Sequence, residues 1–138
     1  MKKIIYLILS ILIMTLVGCA GLGDYSIELI NGYKVVRTSA EVKTIINTND
    51  GNDIVVPPGE RWDEGEYLVK VGYDVQRYIV AKTNIDLYYI IDTKNIQKEV
   101  VYGPLSESEF YKKKKELKIP SSLQLKDLDE YESEMSGS

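Results

Sequence analysis

Glu66-Tyr67-Leu68-Val69-Lys70-Val71-Gly72-Tyr73 opens the stretch that decides the fold. Tyr67, Val69, Val71 and Tyr73 fall on one face of an extended chain, and Leu68, Lys70 and Gly72 on the other, the period of two that marks a strand. A turn near Asp74 leads into Tyr78-Ile79-Val80-Ala81, and a turn at Thr83-Asn84 into Leu87-Tyr88-Tyr89-Ile90-Ile91. Asp92 to Asn95 forms an exit, and Val100-Val101-Tyr102 ends the series. Turns about every 8 to 12 residues between β-branched and aromatic runs predict an antiparallel meander. Several of these strands are apolar on both faces, so something must cover the second face.

The pattern extends in both directions. Upstream, Tyr25 to Ile30 and Tyr33 to Thr38 alternate around Asn31-Gly32. Asn-Gly between two such runs is the strongest short hairpin signal, because a type I′ turn needs positive φ at both positions. Val42 to Ile46 and Ile54 to Val56 read as further strands, the second closed by Pro57-Pro58-Gly59. Asn47 to Asp53 between them reads as a flexible hairpin loop; an EF-hand register with Gly51 at the sixth place would put Ile46 first and Pro57 last, and fails. Downstream, Ser106 and Glu109 form a capping box, with Leu105 and Phe110 placed as its hydrophobic staple. The helix is expected over about 107–117, ending before Pro120, with a narrow apolar stripe of Phe110 and Leu117. Leu123, Leu125 and Leu128 are expected to dock a last short segment. The fold class is therefore mainly β (α+β): an antiparallel β-meander of about six to eight short strands with one C-terminal α-helix. It forms a single β-rich domain over 25–128, followed by an acidic flexible tail over 129–138.

The N-terminus carries a different kind of information. Lys2 and Lys3 precede an apolar run from Ile4 to Val17, broken only by Ser10 and Thr15 and shorter than the roughly 20 residues of a membrane span. Leu16-Val17-Gly18-Cys19 at its end resembles the lipobox of bacterial lipoproteins. That resemblance implies a cleaved signal peptide over 1–18, recognised by its peptidase through Leu16, Val17 and Gly18. It also implies a diacylglycerol on the Cys19 thiol, with the freed amine open to a further acyl chain. Residues 19–24 are then the lipidated cysteine and a short tether. The expected location is the extracytoplasmic face of the cell membrane, or the outer membrane in a host with two.

Composition bounds the chemistry. Removing residues 1–18 takes two lysines, leaving 120 residues with 15 basic and 21 acidic side chains, a net charge of −6. That balance argues against nucleic acid, whose phosphates require a basic footprint. Histidine is absent and the single cysteine belongs to the anchor, which removes Ser-His-Asp and Cys-His nucleophiles and His/Cys zinc sites. No metal site, no catalytic residue and no cofactor beyond the covalent lipid is assigned, and the chain is read as a non-enzyme. The carboxylates Glu64, Glu66, Asp74, Asp86 and Asp92 fall near strand ends, where charge is expected in any case.

Trp62, in the polar setting Glu60-Arg61-Trp62-Asp63-Glu64, either plugs one end of the core or faces a ligand. Adjacent Tyr88 and Tyr89 must point to opposite faces, which makes one of them a candidate for exposure. Trp62 and Tyr88 are the candidate binding surface. Lys112 to Lys115 reads as a solvated helix face in preference to a headgroup-binding patch.

Gly23-Asp24-Tyr25, Asn31-Gly32-Tyr33, Arg37-Thr38-Ser39-Ala40, Tyr78-Ile79-Val80-Ala81, Tyr89-Ile90-Ile91-Asp92 and Tyr102-Gly103-Pro104-Leu105, behind the lipobox, resemble an uncharacterised family of small lipoproteins found mainly in Bacillus-like Firmicutes. The resemblance covers most of residues 16–118, apart from 47–65. It implies an extracytoplasmic anchored domain and no known activity. The expected role is a lipid-anchored binding module whose partner is another envelope protein or a cell-wall component. An immunity protein against an envelope-acting toxin is the alternative, and a carboxylate-based cell-wall hydrolase a third.

Overall fold

The computed structural model describes residues 2–6, 25–94 and 98–136; Leu16, Val17, Gly18 and Cys19 lie outside the described residues. Among the described residues, no helix is long and apolar enough to cross a membrane. The strands form two antiparallel sheets. The first holds β1 (Tyr25–Glu28), β2 (Tyr33–Ser39), β3 (Val42–Asn47) and β4 (Asp53–Val56) in chain order. The second has the order β8 (Val100–Leu105), β7 (Tyr88–Asp92), β6 (Tyr78–Thr83), β5 (Leu68–Tyr73), β9 (Lys126–Asp127). The meander is thus divided into two, and a two-residue strand from the C-terminal region closes one edge.

Asn31 and Gly32 both take positive φ, 51° and 85°, and Tyr33 N–H donates to Ile30 C=O, as the hairpin signal required. The loop between β3 and β4 differs from expectation. It is ordered by a 3-10 turn, Thr48–Asp50, capped by the Asn47 side chain. Thr48 N–H and Oγ1 both donate to Gly32 C=O, and Asn49 Nδ2 donates to Asn31 C=O. The polar side chains read as loop-formers instead tie two turns together.

The main core lies between the sheets. Val35, Ile45 and Val56 from the first meet Leu68, Val71, Ile79, Ala81, Tyr89 and Ile91 from the second. The other face of the second sheet carries Tyr78, Val80, Tyr88 and Ile90, and these pack with Phe110, Ile119 and Leu123. The expected cover is therefore two-sided, one sheet and one helical layer. Helix α1 (Glu107–Glu116) supplies that layer, and both halves of its capping box form: Ser106 N–H donates to Glu109 Oε2, and Glu109 N–H to Ser106 Oγ.

Two boundaries are corrected. β8 runs on to Leu105 and feeds directly into the cap, beyond the expected end at Tyr102. Residues 128–136, expected to start a flexible tail at 129, form helix α2 (Leu128–Ser136). Leu128 is buried in the main core, and the Tyr131 hydroxyl, pushed up to about 12 by burial, donates to Val71 C=O. Glu132 pairs with Arg37 at 2.5 Å and Glu134 pairs with Lys126, so two of the helix's acidic residues have partners on the sheets.

The turn between β5 and β6 is pinned by Asp74, which accepts from the N–H groups of Gln76, Arg77 and Tyr78. Arg77 in turn grips Asp92 in a two-pronged pair, Nε to Oδ1 at 2.9 Å and Nη2 to Oδ2 at 2.7 Å. This pairing holds the Asp92 carboxyl below the usual 3.8, despite the opposing effect of burial. A depressed native value means stability contributed in full above the unfolded value and lost as pH falls through the native one. The expected result is a stability that declines below about pH 4. That decline should be shallower in Asp92→Asn, read by urea unfolding at stepped pH.

Candidate functional site

The local chemistry of β5 and β6 builds an unusual row. A β-bulge between Leu68 and Lys70 shifts the register, so that Leu68 opposes Thr83 while Lys70 opposes Lys82. The bulge breaks the simple alternation read from the sequence: Leu68 and Val71 both enter the main core, and Lys70 turns to the outer face. Lys82 in turn opposes Tyr88, so Lys70, Lys82 and Tyr88 form a row across three strands. The Lys82 amine lies 5.5 Å from the Tyr88 ring centroid.

Helix α1 stands over this row on one anchor. Phe110 is its single buried residue and stacks on Tyr88 with centroids 4.8 Å apart. Tyr111, 55 % exposed, meets the edge of Phe110 at 5.2 Å. The helix ends at Leu117, Lys118 takes the left-handed turn at φ 56°, and Ile119 and Leu123 return into the packing beneath. That returning segment crosses close above Gly72, where an added Cβ would lie 2.1 Å from the Gln124 carbonyl oxygen. Only glycine permits this approach.

Between the row, the helix and the returning segment lies an open groove of about 640 Å³. Its charged lining is four lysines, Lys70, Lys82, Lys114 and Lys115, with no carboxylate among its residues. Lys114 is half-buried; its amine donates to Leu123 C=O at 3.0 Å, lies 5.6 Å from the Phe110 centroid, and is pushed down from its usual pKa by burial. Among the described residues, no carboxylate comes within ion-pair distance of Lys114 or Lys115. Lys82 pairs with the exposed Asp86 at 3.2 Å, and Lys70 only loosely with Asp127 at 3.8 Å.

The residues singled out in the sequence fare differently. Tyr88 and Tyr89 are both buried, at 6 % and 0 % exposure, so the expectation of an exposed member is overturned; the second sheet is covered on both faces. Tyr88 still lines the groove, beneath the helix. Trp62 is half-buried in the turn before β5 and does not line the groove.

The five carboxylates are occupied structurally or exposed. Glu66 is buried and accepts from Tyr89 Oη at 2.7 Å, Thr83 Oγ1 at 2.9 Å and Arg61 Nε at 2.5 Å. Burial and this carboxylate push the Tyr89 hydroxyl well above its usual range. Asp74 caps a turn, Asp86 pairs with Lys82, Asp92 pairs with Arg77, and Glu64 is exposed. Among the described residues, no group of three or more Asp, Glu, His or Cys side chains is arranged to hold a metal ion.

Comparison with known families decides the kinship. A family described as "Protein of unknown function (DUF3997)" matches residues 30–129. The chain belongs to the DUF3997 family. No curated protein and no solved structure matches it. The DUF3997 match takes in β2 through β9, the segment 47–65 with Trp62, and all four groove lysines. The lipobox residues 16–19 precede it.

Proposed function

We propose that this DUF3997 protein is a lipid-anchored extracytoplasmic binding protein of the bacterial cell membrane, a lipoprotein of Bacillus-like organisms. The observation that carries the reading is Cys19 directly after Leu16-Val17-Gly18, with five residues between it and the strand that begins at Tyr25. Those five residues reach at most about 18 Å when extended, so the domain is held close to the bilayer. Each buried methylene of an acyl chain contributes roughly 0.8 kcal/mol, and two chains make attachment effectively permanent. An open groove above a rigid sheet suits a binding module, because the sheet fixes the side chains that meet a ligand.

Mass spectrometry of the protein from intact cells tests the anchor. The expected product begins at Cys19 and carries a diacylglyceryl thioether; Cys19→Ala should leave an uncleaved or lipid-free chain that fails to remain with the membrane as a mature lipoprotein. Recovery of an unmodified Cys19 thiol from the membrane fraction would refute it.

A further inference from the structure

We propose that the lysine groove binds an organic phosphate, with the amines on the phosphate and Tyr111 against the remainder of the molecule. This rests on the reading of the domain as a binding module and names its ligand class. Three observations meet here. The chain carries a net charge of −4, yet this groove is lined by four amines and no carboxylate. Lys70 and Lys82 are directly opposed cross-strand partners, a destabilising like-charge arrangement offset only in part by the exposed Asp86 and Asp127, neither of which lines the groove. Tyr111 stands exposed at the mouth beside the buried Phe110, a ready surface for the apolar or ring portion of a ligand.

The simple explanation of the helix lysines is the macrodipole, which favours cations in the last turn. It accounts for Lys113 to Lys115 on α1. It does not account for Lys70 and Lys82, which arrive from two strands, one of them re-aimed by a bulge. Lysine amines are point charges with several donors each, and those from three elements of structure match an anion with several acceptor oxygens and up to two charges. A phosphate ester has both; a carboxylate is satisfied by fewer donors. The groove's volume of about 640 Å³ lies within the range of small-molecule sites. Two sources share this chemistry: the headgroup of an anionic phospholipid, and a soluble phosphate ester.

The test uses the full chain in neutral detergent, titrated calorimetrically with phenyl phosphate, with phenol as the uncharged control. Saturable binding is expected, weakened about tenfold or more in the double variant Lys82→Gln/Lys115→Gln. It should be unchanged in Lys34→Gln/Lys43→Gln, which removes the same charge elsewhere. Tyr111→Ala, an exposed position, is expected to weaken binding without altering the unfolding midpoint.

In a second arm the chain is placed in phosphatidylcholine nanodiscs with or without phosphatidylglycerol, and acylation of Lys114 by an amine-reactive ester is followed by mass spectrometry. Protection by phosphatidylglycerol without heat from the soluble ester assigns the headgroup, and heat without lipid protection assigns the soluble ligand. Neither heat nor protection, or equal weakening by both lysine pairs, overturns the proposal. That failure in a chain whose Cys19 is lipidated removes the ligand and leaves the anchored module standing; binding by a chain with an unmodified Cys19 does the reverse.

Discussion

Glu66→Ala is expected to lower the unfolding free energy by roughly 2–4 kcal/mol, chiefly because buried hydroxyls lose the carboxylate that accepts from them. The side chain is 3 % exposed and satisfies three donors at once. Removing it strands the Tyr89 hydroxyl inside the main core and leaves the Thr83 hydroxyl, also fully buried, only a long contact to Leu87 C=O at 3.5 Å. Each orphaned donor costs about 1–3 kcal/mol, which is why an alanine here is worse than an ordinary cavity. Arg61 would also lose the contact that ties the turn before β5 to the sheet. Urea unfolding reads the effect as a lower midpoint at similar slope. Tyr89→Phe, which removes one donor and keeps the ring, should cost only about 0.5–1.5 kcal/mol. Equal stability of wild type and Glu66→Ala would show that the network contributes nothing.

Phe110→Ala is the second large effect, expected at about 3–5 kcal/mol. Phe110 is 1 % exposed, stacks on Tyr88 and is the only buried residue of α1. The rest of that helix is polar, so little else holds it against the sheet. Its loss should therefore release α1 and raise amide exchange over 107–119 before the sheets open. Because α1 carries Lys114 and Lys115, ligand binding at the groove should fall together with helix protection. Retained protection of α1 in Phe110→Ala would contradict this account of how the helix is attached.

Local signals were legible where a few neighbouring residues decide the outcome. Asn31-Gly32 specified a turn with two positive φ angles, and Ser106 with Glu109 specified a helix start. The apolar character of both faces of Tyr78 to Ala81 and Tyr88 to Ile91 correctly called for a second cover. What sequence alone could not reach was register. The bulge at Val69 is set by how β5 fits β6, and without it Lys70 would not oppose Lys82. The sequence pattern puts Lys70 on the face opposite Tyr67, Val69, Val71 and Tyr73 and shows the Lys112 to Lys115 run, but nothing local brings the two together into a groove.

The division into two sheets has the same origin, since strand order depends on pairing partners far apart in the chain. Helix α2 is hidden in the sequence for a different reason. Its composition is that of a solvated tail, but Leu128 and Tyr131 lie three apart, share a helix face and dock on β5. Composition hid a tertiary contact.

The most direct test of an anchored protein that holds a ligand in its lysine groove is an amine footprint in intact cells. A small membrane-impermeant acylating ester is applied, and modification of Lys70, Lys82, Lys114 and Lys115 is compared with that of Lys34 and Lys43 by mass spectrometry. The same comparison is made on the purified chain after extensive dialysis. The expected result is selective protection of the groove lysines in cells, lost on purification and restored by an added organic phosphate. Equal modification in cells and in the purified chain would contradict occupancy of the groove where the protein works.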